Sequence, residues 1–457
     1  MKGDLLSNDT IIAPITSLNG GSVHLIRISG ENAIPFTNRF FSKDILKSSG
    51  NRFFYGQLVN EQNKHIDNVV VFVYRKPHSY TGEDVVEISC HANIIITEKI
   101  LELFLRQGCR YAEPGEFTKR AFLNGRMDLV QAESVAALIA AKSDQALENA
   151  LNQLDGKFSE ELKKIRKNII DSLSQLELNL DFAEEDIEII NDREILKLLN
   201  QTERKISEFL KSYNQGKLLQ NGVKVLITGK PNVGKSSLMN ALLEKDRVLV
   251  SEIPGTTRDV IHDEIFLDNI LVKFLDTAGI RYSGDHLEQE GVKRAKKLYR
   301  EADIILMVFD LSQPFSEEDF DLLKLAKKYA QKTILVGNKI DLGKNPSNKK
   351  FFEEDEQLIE ISAKKKKNIA KIKKAIKDKI HYSGTNELFL NNERQYKKLK
   401  EIHKAIGSAR KALKNNLGHE FVSMELRQII DILAELTGEV TNEDILNNIF
   451  SQFCIGK

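Results

Sequence analysis

Cysteine is scarce in this chain: three in 457 residues, at 90, 109 and 454, none in a C-x-x-C or Cys/His spacing. Neither a zinc site nor a disulfide framework is expected. Net charge is also missing. Lysine and arginine number 67 against 66 aspartates and glutamates, a total of +1, so any surface for a polyanion must be local. No apolar run approaches the ~20 residues of a membrane span. The opening MKGDLLSNDTIIAP has no long apolar stretch and carries two aspartates, unlike a secretory signal or an Arg-rich transit peptide. There is no Pro-rich linker and no internal repeat. These absences lead us to expect a soluble protein of a reducing compartment, the cytoplasm, with no membrane association. What is present is 41% hydrophobic and 29% charged, enough for large cores, and the length suggests about three domains.

Four short segments then occur in order: GKPNVGKS (229–236), GTTRD (255–259), DTAG (276–279) and NKID (338–341). The first follows VKVLIT, an apolar β-branched run, and precedes SSLMNALL, which has helical periodicity. Strand, Gly-rich loop and helix is the context in which such a loop cradles phosphates. Gly229 and Gly234 let the backbone curl so that its N–H groups face the phosphates, and the helix N-terminus adds positive potential. Asn232, Val233, Gly234, Lys235, Ser236 and Ser237 form the expected phosphate site. In it Lys235 reaches the β- and γ-phosphates and the Ser236 hydroxyl ligates Mg²⁺. Asp276 follows the apolar run ILVKFL as a Walker-B carboxylate should, with Thr277 and Ala278 beside it, and Gly279 offers its N–H to the γ-phosphate. Thr257 is the expected second hydroxyl on magnesium. In NKID, Asp341 can accept two hydrogen bonds from the guanine edge, which adenine cannot supply. Asn338 should pin the loop and the Lys339 stem can cover the base. Ser362-Ala363 ends a last strand, LIEISA, with the Ala363 N–H aimed at guanine O6. GTP is the expected substrate.

The residue after DTAG is Ile280, where Ras-type enzymes carry a water-orienting glutamine. Hydrolysis must draw its groups from elsewhere. Asn232, with hydroxyls or carbonyls from 251–256, can hold a monovalent cation where other GTPases place an arginine finger, a role worth ~10³–10⁵ in rate. Glu288 or Glu290, in DHLEQE, can orient water; a solvated helix start is the plainer reading of either.

Residues 1–121 mix β-rich runs (HLIRIS, FFYGQLV, NVVVFVY, DVVEISC) with the helical NIIITEKILELFLRQG. Residues 122–221 read as almost wholly helical, 222–380 as the GTPase segment, and 381–457 as helical again. The expected fold is therefore multidomain. It comprises an α+β N-terminal domain, an all-α helical domain in two halves, and an α/β Ras-like P-loop GTPase domain inserted between them. The Lys364–Lys367 run reads as a solvated loop, with contact to RNA as the sharper alternative.

Three features outside the nucleotide motifs narrow the reading: RAFLNGRMDLVQAE (120–133), TGEDVVE (81–87) and the terminal FCIGK (453–457). With the inserted GTPase they resemble the MnmE (TrmE) family of tRNA-modification GTPases along the whole chain. That resemblance implies a homodimer acting with an FAD-dependent flavoprotein as a heterotetramer. The pair would form aminomethyl or carboxymethylaminomethyl groups at C5 of the tRNA wobble uridine. It implies an N-terminal domain that binds a tetrahydrofolate derivative, 5-formyl or 5,10-methylene, with contacts falling on Arg27, Glu87, Arg126 and Lys457. It implies K⁺ ligands at Asn232, Ser251, the Ile253 carbonyl and Thr256, and a water-orienting Glu288, so that Glu288, Lys235 and Asn232 carry hydrolysis. Cys454 matches a near-terminal family cysteine. The chain departs from the family pattern at NGGSVH (19–24) and at His91-Ala92-Asn93, both in the folate domain. The competing readings are an Era-like regulatory GTPase switch in ribosome assembly, which has no need of FCIGK, and a scaffold with a dead nucleotide site. The intact Lys235, Ser236, Thr257 and Asp276 speak against the scaffold.

Overall fold

The computed structural model describes residues 9–181, 191–243, 261–267, 270–275, 297–351, 358–380 and 388–457. The chain divides into two compact units. One gathers the residues up to Ala136, Leu151–Arg204 and Lys400–Lys457; the other gathers Ala137–Ala150 and Lys205–Leu399.

The first unit is built on a mixed sheet. Its strands are β1 (Ile11–Pro14), β2 (Val23–Ser29), β3 (Arg52–Val59), β4 (His65–Tyr74), β5 (Val85–His91) and β6 (Arg110–Tyr111), in the order β3-β4-β5-β2-β1-β6. In β4 the residues Val69, Val71 and Val73 alternate inward and are fully buried, as the period of a half-covered strand requires. They share a core with Ile34 and Phe40 of α1 (Ala33–Phe40) and with Ile100 and Phe104 of α2 (Ile94–Arg106). Asn93, one of the departures from the family pattern, caps α2: its Oδ1 accepts the Ile95 N–H at 2.9 Å, a cap worth ~1 kcal/mol. β2 and β5 pair antiparallel in a register that sets Arg27 directly opposite Glu87.

In the same unit, α3 (Glu116–Leu123) packs through Phe122 against Leu446 and Phe450 of the helix Glu443–Phe450. Gly115 precedes α3 at φ +70°, where an added Cβ would press on the Phe450 carbonyl. α6 (Lys157–Asp181) lies along the helix His419–Thr437, with Arg427 donating to Glu177 at 2.7 Å.

The run LVQAESVAALIAAKSDQALENALNQL reads as one helical stretch in sequence but is two helices, α4 (Leu129–Ala140) and α5 (Asp144–Leu154). The break falls at Ser143. Its hydroxyl accepts the Ala146 N–H, as an N-cap does, and donates to the Leu219 carbonyl at the end of α7 (Asp192–Asn221).

The second unit holds the other sheet. Its strands are β7 (Val223–Thr228), β8 (Ile261–Leu267), β9 (Ile270–Leu275), β10 (Ile304–Asp310), β11 (Thr333–Asn338) and β12 (Leu358–Glu360), in the order β12-β11-β10-β7-β9-β8. Only β8 pairs antiparallel among the described residues. Continuous burial along β10 marks a parallel strand covered on both faces. One face packs on α8 (Lys235–Leu243) and the helix Ile369–Lys379, the other on the helix Glu317–Lys328. In such sheets ligands bind beyond the carboxyl ends of the strands, and the nucleotide motifs follow β7 and β11. Among the described residues no helix is long and apolar enough to cross a membrane.

Candidate functional site

The loop between β7 and α8 turns through three residues at positive φ: Gly229 at +147°, Asn232 at +62° and Gly234 at +98°. Asparagine is one of the few side chains that tolerates this region. At Gly234 a Cβ would collide with the Asn338 side-chain amide, and at Gly229 with the Val308 carbonyl. The Lys235 ammonium donates to the Gly229 and Lys230 carbonyls at 2.8 and 2.7 Å, and burial lowers its pKa. Phosphate oxygens are the better acceptors for that cation. Ser236 and Ser237 stand in the first turn of α8.

Asn338 is the hub of the site. It is almost wholly buried, its Nδ2 donates to the Val233 carbonyl at 2.8 Å, and its Oδ1 accepts the Ala363 N–H at 2.9 Å. One side chain thus ties the phosphate loop to the Ser362-Ala363 turn. The Ala363 N–H, expected at guanine O6, is engaged by Asn338, so contact with a base would require it to be shared. Lys339, at φ +65°, donates to Asp310 Oδ2 at 2.6 Å. Burial pushes the Asp310 carboxyl up, but hydrogen bonds from Lys339 and Ser312 outweigh it and hold it below its ordinary value. Asp341 is exposed. A hydrogen bond from Ser362, with the fields of Lys364 and Lys365, holds it below its ordinary value. It is therefore an ionised acceptor at neutral pH.

Sequence reasoning missed Lys230. Its ammonium donates to Ser316 Oγ at 2.7 Å and to Asp319 Oδ2 at 2.9 Å. Asp319 is itself buried and completes the capping box at the start of the helix Glu317–Lys328. The Lys230 carbonyl meanwhile accepts from Lys235, so this residue straps the phosphate loop to a neighbouring helix. The signal was available: a basic residue inside the motif, and a Ser-x-x-Asp start to an amphipathic run. Ser251, Ile253, Thr256, Thr257, Asp276, Thr277, Ala278, Gly279 and Glu288 lie outside the described residues.

A second constellation forms in the first unit. Arg27 Nε donates to Glu87 Oε1 at 2.8 Å, and both side chains are largely buried. The guanidinium lies 4.8 Å from the Tyr80 ring centre and 5.4 Å from that of Phe117. The Phe117 N–H donates to the Lys457 carbonyl at 3.1 Å, and Gly456 lies against Pro14 and Ile15. The terminal residues are thereby seated on the residue whose ring underlies Arg27. Arg126 joins through Tyr80: both line a pocket of about 470 Å³, with Asn51, Tyr74, His78 and Ser79. The Tyr74 hydroxyl is held above its ordinary pKa, first by burial and then by Glu87, with Arg27 opposing. Tyr74, Tyr80 and Phe117 carried no signal in the sequence. Among the cysteines, Cys90 and Cys109 are buried and Cys454 is exposed. Burial pushes the Cys109 thiol up to about 12, which makes it inert.

A glycine-rich loop after the central strand of a parallel sheet, with NKID after its neighbour but one, defines a P-loop guanine-nucleotide-binding protein. The family profile described as the MnmE helical domain matches residues 129–454, and that of the GTP-binding protein TrmE N-terminus matches 10–126. The tRNA modification GTPase MnmE of Bacillus cytotoxicus is 38% identical over 458 residues, covering 98% of this chain and 99% of that protein. That of Cytophaga hutchinsonii is 39% identical over 452 residues, covering 98% of each chain. That of Clostridioides difficile is 40% identical over 460 residues, covering 98% of this chain and 99% of that protein. The chain belongs to the MnmE family of tRNA modification GTPases, and it is a GTPase enzyme of tRNA modification.

Proposed function

We propose that this GTPase is stimulated by potassium and acts as a homodimer with an FAD-dependent flavoprotein, in a heterotetramer of the cytoplasm. It would use a one-carbon unit of 5-formyl- or 5,10-methylene-tetrahydrofolate to build aminomethyl or carboxymethylaminomethyl groups at C5 of the tRNA wobble uridine. The observation that carries the folate reading is the convergence on Tyr80 and Phe117 of Arg27, Glu87, Arg126 and the terminal Lys457. A reduced pterin presents a flat face and an edge of donors and acceptors. The aromatic rings suit the face, the Glu87 carboxylate suits the donors, and the Arg27 and Arg126 guanidiniums suit acceptor oxygens. When bound, the folate supplies the carbon. The residues hold and orient it, and the Arg27–Glu87 pair keeps both charged groups fixed in a half-buried setting.

At the nucleotide, Asp341 selects guanine and Lys235 neutralises charge developing on the β- and γ-phosphate oxygens. Asn232, Val233, Gly234 and Ser237 complete the phosphate loop, and Gly279 would offer its N–H to the γ-phosphate, with Thr277 and Ala278 beside it in the nucleotide site. Ser236 and Thr257, backed by Asp276, would hold Mg²⁺. Asn232, Ser251, the Ile253 carbonyl and Thr256 would hold K⁺, and Glu288 would orient the attacking water. The positive-φ turn at Asn232, whose side chain is exposed, supports the potassium reading. We also assign the domains as 1–121, 122–221, 222–380 and 381–457.

The test combines purified protein, the flavoprotein and tRNA with each folate in turn, in K⁺ or Na⁺ at equal ionic strength. Mass spectrometry of the wobble uridine and GTP turnover are read together. Modified uridine with one folate, and faster turnover in K⁺, are the expected results. Unmodified uridine with every folate rejects the carbon source, and equal turnover in both salts rejects the cation.

A further inference from the structure

The helical end of the second unit carries a charge pattern that the nucleotide site does not use. Residues 364–379 contain nine lysines and one aspartate, a net of +8 in sixteen residues, on a chain whose total is +1. This stretch is firmly placed. The backbones of Ser362 and Lys367 pair in both directions at 3.2 and 3.0 Å, and Asn368 donates its amide to the Glu360 carbonyl at 2.8 Å. The tight turn so closed leaves Lys364, Lys365, Lys366 and Lys367 exposed. In the helix that follows, Ile369, Ile372, Ile376 and Ile380 are buried in the domain core, which turns Lys371, Lys374 and Lys377 outward. At its far end Lys379 donates to the Ala330 and Gln331 carbonyls, bringing the exposed Lys328 into the same neighbourhood. At its near end Lys364 and Lys365 act on the Asp341 carboxyl, so the basic surface begins beside the guanine-selecting residue.

Two properties choose the partner. Every isoleucine of the helix is turned inward, so the exposed face has no large apolar side chains to enter a bilayer, as an interfacial helix needs. A dense lysine array without exposed aromatics binds by neutralising phosphates rather than by reading bases. We infer that the lysine face formed by residues 364–377 is a docking surface for the phosphate backbone of the tRNA substrate. The inference rests on tRNA being the macromolecule on which this GTPase acts.

The experiment measures binding of unmodified tRNA to the full chain by fluorescence anisotropy across a salt series. It compares wild type, the triple variant Lys371→Gln/Lys374→Gln/Lys377→Gln, and a control, Lys43→Gln/Lys64→Gln/Lys99→Gln, with the same loss of charge in the other unit. The patch variant should bind about tenfold to a hundredfold more weakly at moderate salt. Its slope of log affinity against log salt should be shallower by roughly 2–3, one contact per lysine removed. GTP turnover should be unchanged, which also reports that the variant is folded, and the control should bind as wild type. Equal weakening in both variants, or none in the patch variant, overturns the inference. So does a patch variant that loses binding only to phosphatidylserine vesicles. Wobble-uridine modification by wild type is scored separately. Wild type that binds tRNA through the patch yet leaves it unmodified would reject the proposed one-carbon chemistry and leave the docking surface standing.

Discussion

The two candidate sites are built in opposite ways. Among the described residues, the nucleotide site draws six from one continuous run, Asn232–Ser237, and the others from two short turns at the ends of β11 and β12. The turn of its phosphate loop is set by local φ, as at Asn232 and Gly234. The site in the first unit uses side chains from β2, β5, two loops, α3 and the terminal residues. Its Arg27–Glu87 pair exists because two strands pair in one register, and Lys457 arrives through a backbone contact with Phe117. Phosphate can be bound by a short motif because the backbone is the ligand set. A heterocycle held by side chains needs a finished fold.

The sharpest way to break this comparison is at Asp341. Asp341→Asn should weaken GTP by about 10²–10⁴-fold, since two hydrogen bonds to a charged group are worth roughly 1.5–3 kcal/mol each. It should favour XTP, whose carbonyl meets the new amide, and leave folate binding unchanged. Competition between GTP and XTP reads the first effect and calorimetry with 5-formyl-tetrahydrofolate the second. A variant that still prefers GTP by a wide margin would remove NKID from the site.

Next in size is deletion of Ile455–Lys457. It removes the carbonyl that the Phe117 N–H uses, and should cost about tenfold in folate affinity, on the ~1 kcal/mol scale of a hydrogen bond. Wobble-uridine modification should fall with it while GTP turnover stays within about twofold of wild type, near the ~0.5 kcal/mol of a neutral surface change. Loss of GTP turnover would show the two sites to be coupled, and full modification would remove the terminal residues from the folate site.

Lys230 sharpens the comparison inside the nucleotide site, because it ties the phosphate loop to a distant side chain, Asp319. Lys230→Ala should lower kcat several-fold with little change in KM, on the scale of one charge-assisted hydrogen bond, about 1.5–3 kcal/mol at most. Lys230→Arg should restore it, and Asp319→Asn should reproduce it. A loss of stability without a change in kcat would make the strap merely structural.

The smallest effect concerns pH. Burial pushes the Glu116 carboxyl up, but the hydrogen bond from Arg110, the Glu113 N–H and Arg120 together outweigh it, leaving its pKa below the ordinary 4.5. A depressed carboxyl stabilises the fold above that value and loses its contribution as pH falls through the folded pKa. Urea midpoints should therefore decline below about pH 4.5, more steeply in wild type than in Glu116→Gln, as linkage requires. Equal acid slopes would remove Glu116 as the source of the decline.

Much of the fold was legible in residue pattern. The β-rich run of β4, the apolar runs of β7, β9 and β11, and the motifs GKPNVGKS and NKID at the ends of β7 and β11 fall where the structure has them, because periodicity and loop chemistry are local properties. The break at Ser143 was not legible from periodicity, since apolar spacing continues across it. The Leu219 carbonyl that receives its hydroxyl belongs to a helix far along the chain. β12 is shorter than LIEISA suggests, ending at Glu360, because Ser362 turns back to pair with Lys367.

By itself the sequence determined the class of ligand and the order of the parts. A phosphate loop, a guanine selector and amphipathic helices are written in stretches of a few residues, where backbone geometry and side-chain period act at short range. Only the tertiary structure decided that Lys230 reaches Asp319, that Asn338 joins two loops, that Arg27 faces Glu87, and that the terminal residues lie on Phe117. Each of these joins groups far apart in the chain. Their meeting depends on strand register and on which apolar faces pack together, and no local pattern of residues specifies either.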